Sequence, residues 1–270
     1  FFVGTARGLC RFDFAKDSFE SYSSTASPVY GLYEDRRSRI WAATPFGPGV
    51  VNKETRSIDF DYGHYYVNVF WEDDRGRLWM GVSGPEAIAV LRGDGEWESV
   101  EVPGVDCVNC VYSDPHGEWW LGTGEGIYIF DPATRSSEAL SLRNSRARVL
   151  DKLKISFIKE VEPYELLIGT ATDGFWHLDL RTGRLSHNEP LKYNPVNSSQ
   201  LHTCYTDRQG NLWIGTYEKG FVLVGKQPGY FNDDGEQDRS LAGKFVTRVL
   251  SGPDGALWVA TRYDGLYRSA

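Results

Sequence analysis

Paired thiols, a few imidazoles and scattered carboxylates are the residues of this 270-residue chain that could do chemistry. Cys107 and Cys110 form a C-x-x-C in VDCVNCVYSD, the spacing of a redox dithiol or of half a zinc site. The sequence has no second C-x-x-C to complete such a site. Residues three apart on a strand point to opposite faces, so the pair is expected to be plain core cysteines, as are Cys10 and Cys204. The histidines are His64, His116, His177, His187 and His202, and no H-E-x-x-H, G-x-S-x-G or Ser/His/Asp set includes them. Glu125, Asp173, Glu218 and Asp264 could supply the two carboxylates of a glycosidase, but no second group marks any of them. Asp35, Asp73, Asp114 and Asp207 recur at one slot, D-x-x-G. Asp there accepts backbone N–H groups inside a turn. A catalytic residue is needed once, so recurrence argues for structure. No catalytic residue, metal or cofactor is expected.

The elements that carry these residues repeat. FVGTARGLCRF, IWAATPFGPGVV, LWMGVSGPEAIAVL, WWLGTGEGIYIF, LLIGTATDGFWHL, LWIGTYEKGFVLV and LWVATRYDGLYR align on a small residue at Gly4, Ala43, Gly81, Gly122, Gly169, Gly215 and Ala260. The steps are 39, 38, 41, 47, 46 and 45 residues. A period near forty suits a propeller blade or a pair of short helices. Each copy holds short runs rich in Val, Ile, Tyr, Phe and Trp, cut by Gly, Asp, Asn and Pro, which are strands and tight turns. No copy has an apolar stripe at helical spacing. The expectation is an all-β, seven-bladed propeller of four-stranded antiparallel blades over residues 1–270, one domain. The first copy lacks its innermost strand and the last lacks its outermost, so both end blades are expected to be incomplete and the chain to be a piece of a longer one.

In the clearest copy LHTCYTD is the inner strand, NLWIGT the second and FVLV the third. Trp41, Trp79, Trp120, Trp213 and Trp258 share one slot in the second strand, with Leu167 and Phe2 standing there in the fifth and first copies. A large aromatic at that slot is expected to wedge between neighbouring blades. The glycine after it lets a neighbouring group come close.

Turns between the second and third strands, and crossings between blades, share one face of a propeller, the default ligand face. They place Arg7, Phe46, Glu125, Asp173, Tyr217, Glu218, Arg262 and Tyr263 there, with His64, Tyr65 and Tyr66 from the crossing YGHYYVN. Arg7, His64, Tyr65, Tyr217, Glu218, Arg262 and Tyr263 are the candidate ligand-binding residues. Aromatic faces beside charged and amide tips suit a sugar. Three crossings are long, SLRNSRARVLDKLKIS, HNEPLKYNPVNSSQ and YFNDDGEQDRSLAG, and long loops on a rigid scaffold are usually functional or disordered.

Composition closes off other classes. The net charge is −8 and no basic stripe occurs, so nucleic acid is not an expected partner. No run of 18 apolar residues suggests a membrane helix.

The pattern D-x-x-G-x-L-W-I-G-T, with G-L after the next turn, once per copy, and the lead-in P-x-N-S-x-x-L of YNPVNSSQLHTCYTDRQGNLWIGTYEKGFVLV, resembles the two-component regulator propeller repeat. The likeness is strong in the sixth and seventh copies and weak in the fifth, where VEPYELLIG has neither the Asp nor the Trp. Ser38 departs from the turn glycine. The resemblance implies a periplasmic sensor of a hybrid two-component histidine kinase that responds to oligosaccharides. It also implies a second propeller and an immunoglobulin-like domain as neighbours, and a homodimer. Alternatives are a propeller enzyme, since DGALWVAT is also similar to streptogramin-lyase-like proteins, and a propeller that only binds protein.

Overall fold

A computed structural model describes residues 2–5, 7–13, 15–16, 18–22, 28–60, 63–93, 95–187, 200–207, 210–217, 221–224, 246–252, 256–261 and 265–268, without the side chains of 221–224 and 251. The strands succeed one another in hairpins. Phe2–Thr5 (β1), Gly8–Asp13 (β2) and Ser18–Ser21 (β3) make the first sheet. Gly31–Glu34 (β4), Ile40–Thr44 (β5), Gly47–Asn52 (β6) and Ser57–Asp59 (β7) make the second. Tyr66–Glu72 (β8), Leu78–Ser83 (β9), Ile88–Leu91 (β10) and Trp97–Val100 (β11) make the third. Val108–Ser113 (β12), Trp119–Thr123 (β13), Ile127–Asp131 (β14) and Ser136–Ala139 (β15) make the fourth. After a helical turn at Leu140–Arg143 (α1) and a 3-10 segment at Ser145–Leu150, the fifth sheet is Ile155–Glu162 (β16), Glu165–Thr170 (β17), Phe175–Asp179 (β18) and Leu185–His187 (β19). Leu201–Thr206 (β20), Leu212–Thr216 (β21) and Phe221–Val224 (β22) make the sixth, and Val246–Ser251 (β23), Leu257–Thr261 (β24) and Leu266–Arg268 (β25) the seventh.

The fold is therefore all-β, with every sheet antiparallel and built from neighbours in sequence. Seven four-stranded blades is too many. Four sheets have four strands among the described residues, and the first, sixth and seventh have three. Six sheets carry the inner strand and the first does not, as its incomplete copy implied, because β1 already holds the Gly4 slot and nothing pairs with its other edge among the described residues. The stretch between β22 and β23 lies outside the described residues.

The chain divides into two compact units, Phe1–Gly124 with Tyr128–Glu138, and Glu125–Ile127 with Ala139–Ala270. Within the first, β4, β5 and β6 pack on β8, and β12 packs on β8 and β9. Within the second, β20 packs on β16 and β17, and β23 on β20 and β21.

Three of the recurring tryptophans, Trp41, Trp79 and Trp213, fill the space between adjoining sheets. Trp41 is fully buried with Val67, Phe70 and Met80 of the next sheet. Trp79 joins Trp71 of its own sheet and Trp119 of the next, with ring centroids 6.2 and 4.7 Å away. Trp213 packs on Val246 and Val249. Leu167, at the same slot, packs on Leu201 and Ile214. The small residue two places on is needed because two side chains converge on it. A Cβ at Gly81 would come within 2.9 Å of both Val69 and Val108, one from each sheet.

Each tryptophan in β5, β9 and β21 is also tied to the turn before it. Asp73 Oδ1 accepts from the backbone N–H of Arg75 and Arg77, at 3.0 and 2.8 Å. Its Oδ2 accepts from Arg77 Nε at 2.7 Å and from Trp79 Nε1 at 3.0 Å. Asp35 does the same for Arg39 and Trp41, and Asp207 for Asn211 and Trp213. The fourth sheet breaks the set. Glu118 stands where Arg or Asn donates elsewhere, and the buried Trp120 Nε1 has no partner among the described residues.

Candidate ligand face

In the first unit an aromatic ledge gathers at the carboxyl end of β5. Three large side chains there are half exposed: Tyr30 (51%), Phe46 (55%) and Tyr66 (52%). Local backbone bonds hold the segments that carry them. Val29 N–H donates to Thr5 O at 2.9 Å and Tyr30 N–H to Ala43 O at 2.8 Å, so the crossing before β4 is pinned to the ends of both β1 and β5. Thr44 Oγ1 donates to Gly47 O and accepts from Phe46 N–H, closing the tight turn that carries Phe46. Gly47, at φ +114°, lies against Gly63 O and Tyr65 N with no room for a Cβ. The Phe46 turn is thereby pressed onto the crossing that delivers His64, Tyr65 and Tyr66.

The rings pair. Tyr30 and Tyr66 lie 5.9 Å apart at a 33° tilt, and Phe46 stands edge-on to Phe60 at 6.0 Å. Burial first, and then the neighbouring Tyr66 hydroxyl, hold the Tyr30 phenol above its usual range, so its hydroxyl is a neutral donor and acceptor at physiological pH.

Of the residues expected on this face, His64 is exposed and Tyr65 half-buried, its hydroxyl 3.2 Å from Ser99 Oγ. Arg7 is exposed, in the turn held by its N–H to Thr5 Oγ1 at 3.1 Å. Tyr30 escaped the sequence reading. Its signal was SPVYGLYE, an aromatic placed just before an inner strand, much as Tyr66 opens one.

The second unit has ring pairs of its own. Tyr217 meets His202 edge-on at 5.1 Å, and its N–H donates to Gln200 O. His202 is the extra residue of a β-bulge, where β20 passes from Leu201 to Thr203 while its partner advances one place. Bulges re-aim a side chain. The same bulge recurs at Asn68, Asn109, Ser156 and Thr247. Asp173 lies beside Trp176 and His187, which stack at 4.2 Å, and His187 Nε2 is 2.7 Å from Asp173 O. A carbonyl only accepts, so Nε2 carries a proton. Glu218, Arg262, Tyr263 and Asp264 lie outside the described residues.

The cysteines are all free thiols. The alternation argument for Cys107 and Cys110 fails because the Asn109 bulge lies between them. Cys107 Sγ instead joins a polar cluster, 3.4 Å from Asn68 Nδ2 and Ser83 Oγ and 3.3 Å from Asn109 Oδ1. No helix of the described residues is long and apolar enough to cross a membrane.

The model of the two component regulator propeller matches residues 195–218. The chain carries that repeat. No curated protein matches the chain. Among solved structures it is similar over its whole length to the extracellular domain of a hybrid two component system from B. thetaiotaomicron, at 18% identity, TM-score 0.65 and 43% of that chain. It is similar likewise to the extracellular domain of a one component system from the same organism, at 16% identity, TM-score 0.55, 100% of this chain and 46% of that one. Virginiamycin B lyase from Staphylococcus aureus is similar at 12% identity and TM-score 0.61, over 89% of this chain and 83% of that one. The chain spans less than half the length of the first two. At these identities the likeness shows the fold, an all-β propeller of antiparallel sheets.

Proposed function

We propose that this chain is a propeller of an extracytoplasmic sensor in a hybrid two-component histidine kinase, and that its ligand is an oligosaccharide. In this reading the propeller sits in the periplasm. A second propeller and an immunoglobulin-like domain are its neighbours in a dimeric parent, and the chain itself is not an enzyme. The repeat at 195–218 and the likeness to extracellular domains of such systems support the sensor part. The observation that carries the ligand is the Tyr30–Tyr66 pair, half exposed, with Val29 and Tyr30 held by backbone bonds to Thr5 and Ala43. A sugar presents apolar C–H faces and a belt of hydroxyls. Paired phenols offer a stacking surface and hydroxyl partners at once, with little conformational entropy left to lose on binding.

The mechanism is a population shift, in which ligand biases a signalling state that it contacts differently. The test is a thermal-shift screen of the purified chain against plant and host oligosaccharides. A ligand at a hundred times its dissociation constant stabilises the fold by about 2.7 kcal/mol. A selective hit supports a sensory site here. A well-folded sample that responds to none leaves the chain as scaffold. A propeller enzyme is the second reading, since virginiamycin B lyase shares the fold, and turnover of virginiamycin B by the purified chain would establish it.

A further inference from the structure

The connection from the fourth sheet to the fifth departs from the repeat in both structure and charge. It holds α1 and the 3-10 segment, the helical elements among the described residues. Residues 140–154 carry five cations and one anion, +4 in a chain whose net charge is −8, which leaves −12 for the rest. Leu142 is 73% exposed and Val149 is 52% exposed.

The segment is nonetheless firmly built in. Leu140, Ala147 and Leu150 are buried. Asn144 accepts from Arg146 N–H at 3.2 Å and donates from Nδ2 to Gly183 O at 2.9 Å, tying the segment to the β18–β19 hairpin. Gly126 N–H donates to Leu153 O, and Ala171 N–H to Lys154 O, which fixes its far end. The side chains of Arg146, Arg148, Lys152 and Lys154 are exposed and make no ion pair or hydrogen bond among the described residues. By contrast Arg39 and Arg77 each meet a carboxylate at 2.7 Å. The buried leucines anchor the segment, but the exposed Leu142 and Val149 and the four uncompensated cations add nothing to that anchoring.

We propose that residues 140–154 are a docking face for an acidic polypeptide segment that carries apolar side chains. Glu and Asp of the partner would meet the four cations, and its apolar residues would cover Leu142 and Val149. Charge complementarity then sets encounter rate and register, and apolar burial holds the complex. An anionic bilayer fits less well. One helical turn and a 3-10 turn are far short of an interfacial amphipathic helix, and a body of −12 is repelled by the same lipids that attract the segment. Nucleic acid meets the same repulsion.

The experiment uses the whole chain and a labelled Glu-rich peptide bearing two leucines, with binding read by fluorescence anisotropy. The leucine-free version and a Lys-for-Glu version are controls. Phosphatidylglycerol and phosphatidylcholine vesicles are tested beside them. The expected result is saturable binding of the acidic leucine peptide, weakened at least tenfold in Arg146→Glu/Arg148→Glu and severalfold in Leu142→Ser/Val149→Ser, and falling with added salt. Circular dichroism and the melting temperature check that these surface variants fold. Binding no tighter than to the Lys-for-Glu control, or unchanged in both variants, overturns the proposal. Retention on phosphatidylglycerol vesicles without binding of the peptide overturns it too, in favour of a lipid surface.

Discussion

Trp79 Nε1 donates to Asp73 Oδ2 across a 3.0 Å hydrogen bond, and the same bond joins Trp41 to Asp35 and Trp213 to Asp207. The turn aspartate and the wedge tryptophan are one device. The carboxylate orders the turn through one oxygen and orients the indole through the other, so hairpin geometry and sheet-to-sheet packing are set together.

Asp73→Asn is expected to cost about 2–3 kcal/mol, because one amide cannot accept from Arg77 and Trp79 and from the turn N–H groups at once. Trp79→Phe, which keeps a ring but deletes the donor, is expected to cost less than Trp79→Ala, at about 3–5 kcal/mol. Urea midpoints at constant slope measure both. Equal stability of Asp73→Asn and the parent would mean the bond contributes nothing.

The same aspartates set the acid limit. Burial alone would raise the Asp35 and Asp73 carboxyls, but the hydrogen bonds and charge they receive from Arg39 and Trp41, and from Arg77 and Trp79, leave both below the usual carboxylate range. A depressed folded value stabilises fully above the unfolded pKa near about 3.9 and is lost as pH falls through the folded one. The melting temperature should hold from neutral pH down to about 5 and drop below about 4. Asp73→Asn should flatten part of that drop, and an undiminished drop in Asp35→Asn/Asp73→Asn would assign it to other groups.

Ser38 stands at the turn position where Gly76 and Gly117 take positive φ, and it does so too, at 59°. Ser38→Gly should remove a left-handed strain of about 1–2 kcal/mol, offset by the extra freedom glycine gives the unfolded chain. The net expectation is stabilisation by about 0.5–1 kcal/mol. A fall in melting temperature would contradict it.

Burial pushes the Cys204 thiol up to about 12, with the Lys159 charge opposing only in part. At about pH 8 its thiolate fraction is on the order of 10⁻⁴, and the thiolate is what alkylates. Iodoacetamide should spare Cys204 in the folded chain and label it in urea, read by peptide mass. Native labelling at the rate of a free thiol would show that the site is open.

The fold was legible because its signals are local and repeated. The turn Asp, the Trp slot and the small residue after it recur at nearly fixed spacing, and each reports a contact that the sheets share. The Trp–Asp bond was hidden because it joins two residues each of which has a sufficient reason alone. The bulges were hidden because pairing register is not written in one strand, and a single bulge upset the facing argument for Cys107 and Cys110. Tyr30 was missed because a crossing has no period to place it. The expectation of no basic stripe overlooked the five cations of residues 140–154, and the burial of Leu140 and Leu150 that leaves Leu142 bare is not written in the sequence at all.

The measurement that bears most directly on the ligand face is isothermal titration of an oligosaccharide hit against the parent chain, Tyr30→Ala and Tyr66→Ala. Both side chains are half exposed, so truncation should leave the folded state intact. The expected result is loss of affinity of at least about tenfold in each variant, or about 1.4 kcal/mol, with a retained melting temperature in the absence of ligand. Unchanged affinity in both would contradict the account and place the sugar away from this ledge.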